Sequence, residues 1–231
     1  MSSIEQNLQQ VRRRITRCCH DAGRPEQSVT LLAVSKTFGA TQVRQAHAAG
    51  QFDFGENYVQ EALAKIDALA DLRALLRWHL IGPLQSNKTR VVAEQFDWVH
   101  SVDRLKIAQR LAEQRPAGLP PLQLCLQVNI SGEASKSGLL PGEVAAVAQA
   151  VAQLPAELVR LRGLMAIPEP AEDFAAQRVP HRALRELFAA LNQTGLGLDT
   201  LSMGMSADLE AAVAEGATIV RIGTAIFGAR S

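Results

Sequence analysis

Eight short runs of β-branched and apolar residues alternate with amphipathic helical stretches along this chain, and few architectures tolerate such an alternation. The runs are Thr30 to Ser35, Phe52 to Gly55, Trp78 to Gly82, Trp98 to Val102, Leu122 to Ile130, Leu161 to Ala166, Leu201 to Gly204, and Thr218 to Ile222. Eight βα repeats in 231 residues predict an α/β fold, a single compact (β/α)8 barrel. An open doubly wound sheet would carry a glycine-rich dinucleotide fingerprint after its first strand, whereas that turn here reads SKTFGA. Helix ends are readable between the runs. Thr41 is expected to cap a helix stopping at Gly50, Asp103 to open one ending near Pro116, Pro141 to start another, and Ser206 to cap one ending at Gly216. No Pro/Ser/Gly-rich linker divides the chain, so residues 1–231 are expected to form one domain.

Ahead of the first repeat, Ile4, Leu8, Val11 and Ile15 recur at helical spacing, which predicts an extra helix over about residues 3–21 that covers one end of the barrel. Arg12, Arg13, Arg14 and Arg17 then form its solvated face. With 24 Lys+Arg against 23 Asp+Glu, the chain has no general attraction for nucleic acid or an anionic bilayer. There is no signal-peptide pattern and no run of about 18 uncharged apolar residues, so a cytoplasmic protein is expected. Cys18, Cys19 and Cys125 read as reduced thiols. Adjacent helical residues point about 100° apart, so Cys18, Cys19 and His20 do not converge on a metal.

In such a barrel the chemistry lies at the C-terminal ends of the strands. Alternation in LLAVSK puts Leu32, Val34 and Lys36 on one face, so if Leu32 and Val34 fill the barrel, Lys36 points up its mouth. A water-poor mouth favours the neutral amine, a nucleophile able to form a Schiff base, although a strand-end lysine can equally snorkel to solvent. Near the chain end, LSMGMSADLE and VRIGTAIFG each place a strand, a glycine turn and a hydroxyl residue before a helix. Ser206 and Thr224 thus offer anion cradles in the loops where this fold often binds phosphate, or are ordinary capping residues. Arg221 shares a face with Ile219 and Gly223, so it is expected inside the barrel, where a guanidinium needs a partner. Asn57 is a mouth or capping residue, and His79 reads better as a satisfied core histidine.

The segments LLAVSKT, FGENYVQEAL, WHLIGPLQSNK, FDWVHSVDRLKIA, VNISGEASKSG, LRGLMAIP, LSMGMSADLEAAVAEG and VRIGTAIFGAR span nearly the whole chain in order. Together they closely resemble the pyridoxal phosphate homeostasis proteins, single-domain relatives of the alanine racemase barrel. The resemblance implies a fold type III pyridoxal 5′-phosphate-binding barrel with Lys36 as the Schiff-base lysine. It also implies a phosphate cradle from Ser206, the backbone around Met205, Gly223 and Thr224, with Ser202 as a weaker member. Arg221 would face the pyridine nitrogen, Asn57 would line the ring, and Lys136 would be a second mouth lysine or a plain loop residue. Phe38 replaces a lysine common in bacterial relatives, and a basic C-terminal tail is lacking. The implied function is that of a carrier or buffer of the cofactor in vitamin B6 and amino-acid homeostasis, without robust catalysis. It would be a monomer exchanging with small amino acids and meeting apo-enzymes transiently. The alternatives are a slow, broad-specificity amino-acid racemase and a barrel enzyme that uses Lys36 on a sugar phosphate without this cofactor. No opposing base from a second β-domain is expected, since the barrel consumes the sequence.

Overall fold

The computed structural model describes residues 3–133 and 137–228. Its strands are Thr30–Val34 (β1), Asp53–Glu56 (β2), Arg77–Leu80 (β3), Trp98–Val102 (β4), Leu122–Gln127 (β5), Val159–Met165 (β6), Thr200–Ser202 (β7) and Ile219–Ile222 (β8). All neighbours are parallel, and β8 closes on β1 to complete the barrel in sequence order. The helices among the described residues are Ile4–Asp21 (α1), Ala40–Ala48 (α2), Val59–Ala68 (α3), Thr89–Gln95 (α4), Leu105–Gln114 (α5), Pro141–Ala152 (α6), Phe174–Gln193 (α7), Leu209–Ala214 (α8) and Thr224–Phe227 (α9).

The strand faces follow the alternation. Leu32, Val34, Ile81 and Ile219 form a small apolar cluster inside the barrel with Trp98 against it, while Ala33, Phe54, Leu80, Val99 and Val220 join the larger core between strands and helices. The fifth run ends sooner than its apolar residues suggest. After a last bond from the Val128 N–H to the Met165 carbonyl, the backbone pairs with Leu139, through Leu139 N–H to the Gln127 carbonyl and Asn129 N–H to the Leu139 carbonyl.

Three expected caps are displaced. Gly39, not Thr41, precedes α2, and its N–H donates to the Gln42 side chain. Arg104 rather than Asp103 precedes α5, because the Asp103 carboxylate is engaged by Arg104. Helix α8 starts after Asp208 rather than Ser206, since Asp208 Oδ1 accepts the Met205 N–H and holds residues 205–208 as a turn.

Helix α1 buries Leu8, Val11, Ile15, Cys18 and Cys19, and Ser3 closes a capping box with Gln6. It lies against α2, α8 and α9, taking a place in the helical layer rather than covering a barrel end. Its arginines are not all solvated. Arg12 donates to the Ala49 and Gly50 carbonyls and Arg14 to the Ser206 carbonyl, while Arg13 and Arg17 are exposed. Among the described residues no helix is long and apolar enough to cross a membrane, and no group of three His, Cys, Asp or Glu is placed to hold a metal.

Candidate functional site

Lys36 sits two residues beyond β1, half-buried, and its amine forms no hydrogen bond or ion pair among the described residues. The turn that presents it is unusual. Thr37 has φ 69°, the only positive φ at a non-glycine among the described residues, and its N–H donates to Glu61 Oε1 at 2.5 Å. Beneath the turn, the buried Lys65 ammonium donates to the Ser35 carbonyl (2.7 Å), Glu56 Oε1 (2.7 Å) and Glu61 Oε1 (2.6 Å), and Ser35 Oγ donates to Glu56 (2.6 Å). Burial pushes the Glu56 carboxyl up, against the lowering influence of Lys65 and Ser35. Lys36 is thus free while the backbone on either side of it is fastened to α3. The Phe38 ring stacks on Phe227 at 5.0 Å, joining the same turn to α9.

The β7 and β8 loops lie beside this turn. Leu32 pairs with Arg221 and Ala33 with Ile222, and a Cβ on Gly223 would stand 3.1 Å from the Val34 carbonyl oxygen, so the chain after β8 runs along the end of β1. Thr224 opens α9 and is exposed; Ser206 is half-buried; neither hydroxyl has a hydrogen-bond partner among the described residues. Gly204 adopts φ 93°, and a Cβ there would lie 2.4 Å from that of Ala212, so only glycine lets the loop pass α8 this closely. The Met205 N–H, expected to face an anion, is spent on Asp208. Asn7 donates to the Ile226 carbonyl and Arg14 to that of Ser206, so α1 touches both loops.

Arg221 is buried inside the barrel. Its Nη1 donates to Ser202 Oγ (2.9 Å) and its Nη2 to the Ala166 carbonyl (2.8 Å). Burial pulls the guanidinium down to about 10, with Asp208 opposing, which still leaves it charged at neutral pH. Ser202 is therefore directed at Arg221 and not at the loops expected to hold phosphate. Its Oγ is also 2.8 Å from His100 Nδ1; His100 Nε2 is 3.0 Å from His79 Nδ1; and His79 Nε2 is 3.1 Å from Asp53 Oδ1. Arg77 grips both Asp53 oxygens at 2.5 and 2.6 Å. His79 is a satisfied interior histidine, deep in the barrel rather than at its mouth. Sequence reading passed over Asp53 and His100, although both occupy inward positions of their strands, where a polar residue requires a partner.

Asn57 does not cap α3, whose N-cap is Tyr58. Its Oδ1 is buried without a partner among the described residues, and the residue lines a mouth cavity of about 220 Å³ with Gly82, Gln127, Asn129 and Ile167. Gly82 is required there, since a Cβ would fall 2.2 Å from the Asn57 carbonyl oxygen. Lys136 lies outside the described residues.

The family model for the alanine racemase N-terminal domain matches residues 1–231. A Pseudomonas aeruginosa protein named pyridoxal phosphate homeostasis protein is 66% identical over 230 residues, covering 100% of this chain and 97% of its own length. The chain belongs to the pyridoxal phosphate homeostasis proteins, within the alanine racemase N-terminal domain family. The structure of PipY from Synechococcus elongatus with PLP bound is 40% identical, covers 98% of this chain and 100% of that one, and superposes with a TM-score of 0.83. Alanine racemase from Corynebacterium glutamicum, at 18% identity and TM-score 0.69, covers 98% of this chain and 61% of its own, a likeness of fold.

Proposed function

We propose that this protein is a single barrel that binds pyridoxal 5′-phosphate through Lys36 and buffers or delivers it, without robust turnover. The observation that carries the reading is the Lys36 amine, without a partner among the described residues, on a turn whose flanking backbone is held by Lys65 and Glu61. The P. aeruginosa relative's name and the PLP-bound PipY structure support the choice of cofactor. When bound, the cofactor supplies an aldehyde that condenses reversibly with an amine and a pyridine ring that withdraws electrons from the adduct.

The residues present fit such a group. Ser206 and Thr224 offer two unengaged hydroxyls beside the glycines of the β7 and β8 loops, the donor set a phosphate requires. Arg221 offers a fixed cationic donor from within the barrel, and Asn57 an uncommitted amide at the mouth. If Arg221 faces the pyridine nitrogen of the bound cofactor, its charge would keep that nitrogen an acceptor and make the ring a weaker electron sink, which argues against efficient racemisation. Exchange of Lys36 for the amine of a small amino acid, transient delivery to apo-enzymes, a monomeric state and a cytoplasmic location complete the proposal.

The test is covalent mapping. After loading with pyridoxal 5′-phosphate and borohydride reduction, peptide mass analysis is expected to find the label on Lys36, and Lys36→Ala is expected to lose the visible band at about 420 nm while melting like the parent. A label chiefly on Lys136 or another lysine overturns the assignment.

A further inference from the structure

The barrel interior of this family member is threaded by a continuous polar chain from Arg77 at its base to Arg221, and the two ends of that chain fix what lies between. At the base, burial pushes the Asp53 carboxyl up, but the hydrogen bonds from Arg77 and His79 outweigh it and hold the group at about 2, so it is an ionised acceptor. At the other end, Arg221 can only donate. Burial above all, with the Arg221 charge beside it, holds His100 well below the usual imidazole range, so it is neutral and carries one N–H.

Hydrogen positions can be assigned from these constraints. Asp53 must accept from His79 Nε2–H, and Ser202 Oγ must accept from Arg221. If His79 Nδ1 accepts from His100 Nε2–H, then His100 Nδ1 accepts the Ser202 hydroxyl proton, and every donor and acceptor in the chain is used. The reverse arrangement would place a second cation in the same dry interior and strip the fully buried Ser202 hydroxyl of its acceptor. Five groups on β2, β3, β4, β7 and β8 therefore point one way, from Arg221 to Asp53.

We propose that Ser202, His100, His79 and Asp53 are positioning residues that act as one directional hydrogen-bond chain, aiming the Arg221 guanidinium from the opposite end of the barrel. Arg221 has no carboxylate in hydrogen-bond contact among the described residues: Asp208 is the carboxylate whose charge raises it, and what holds its orientation is Ser202 Oγ and the Ala166 carbonyl. The consequence for cofactor binding rests on the reading that Arg221 faces the pyridine nitrogen, whereas the chain itself does not.

Two measurements separate these. In cofactor-free protein with ¹⁵N-labelled histidines, NMR is expected to find both His79 and His100 as neutral Nε2–H tautomers. Asp53→Asn is expected to shift the His100 nitrogens, although residue 53 makes no contact with that ring, and Ser202→Ala reciprocally to shift those of His79. An Nδ1–H His100 in the parent overturns the chain, as do responses confined to the adjacent ring. Should Asp53→Asn fail to fold, the Ser202→Ala arm decides alone.

In the loaded protein, Asp53→Asn and Ser202→Ala are each expected to weaken pyridoxal 5′-phosphate binding about fivefold. Once Ser202 is cut, the base can no longer be felt, so the double variant should match Ser202→Ala within about twofold. Effects that multiply would mark independent structural damage and overturn the proposal. If the parent takes up no cofactor, the functional reading fails while the NMR result still stands.

Discussion

Two carboxylates on β2, three residues apart, meet opposite fates. Asp53 faces into the barrel and Glu56 faces α3; both are buried, yet the first is held at about 2 and the second is raised. The difference lies in the geometry of the cation. Asp53 is gripped by a two-pronged guanidinium at the rim of the barrel and also accepts from His79. Glu56 shares one ammonium with Glu61 and a backbone carbonyl, and one of its oxygens has no partner at all. A planar fork compensates burial where a shared point charge does not. The inward group therefore anchors a polar chain, while the outward group is part of a strained clamp on the Lys36 turn.

The largest test of this contrast is Lys65→Met. It leaves Glu56 and Glu61 without their cation beneath the Thr37 turn, and a buried charge stripped of its partner costs about 3 to 5 kcal/mol. Urea unfolding is expected to register that loss together with slower reaction of Lys36 with pyridoxal 5′-phosphate; an unaffected rate would detach the clamp from the turn.

Asp53→Asn comes next, at roughly 2 kcal/mol at neutral pH, the equivalent of a carboxyl lowered to about 2. Because the folded value is depressed, this stability is present above the unfolded value of about 4 and is lost as pH falls through about 2. The variant should lack that acid limb in pH-dependent unfolding. Glu56 has the opposite slope: with its folded value raised, its contribution is greatest below the unfolded value and declines as pH rises. A Glu56→Gln variant that retained the decline would contradict the comparison.

The smallest effect is a gain. Thr37→Gly relieves a β-branched residue of a left-handed conformation and should raise the unfolding free energy by about 1 kcal/mol, while slackening the turn. A loss of stability would mean that the Thr37 side chain supports the turn by packing.

The barrel was legible because period-two runs bounded by glycine and proline turns leave little freedom, and the same alternation placed Leu32, Val34 and Arg221 inside correctly. The helix starts differ from those expected at Thr41, Asp103 and Ser206 because other groups set the ends: Gln42 reaches back to Gly39, Arg104 engages Asp103, and Asp208 reaches back to Met205. The interior chain escaped notice for a related reason. Asp53, His79 and His100 come from three strands, and only the closed sheet makes them adjacent. Lys65 drew no expectation from the sequence, since nothing local to EALAKID signals that it turns inward to meet the Ser35 carbonyl.

Asn7 and Arg14 stand seven residues apart on α1, two helical turns, so a single face of that helix grips the carbonyls of Ile226 and Ser206. The two loops that flank the mouth are consequently strapped by a helix that precedes every strand of the barrel in the chain. Since α1 is made before β1, neither strap can close until β7 and β8 have followed. Amide exchange in the β7 and β8 loops should therefore follow the fraying of α1 more closely than the opening of the barrel itself.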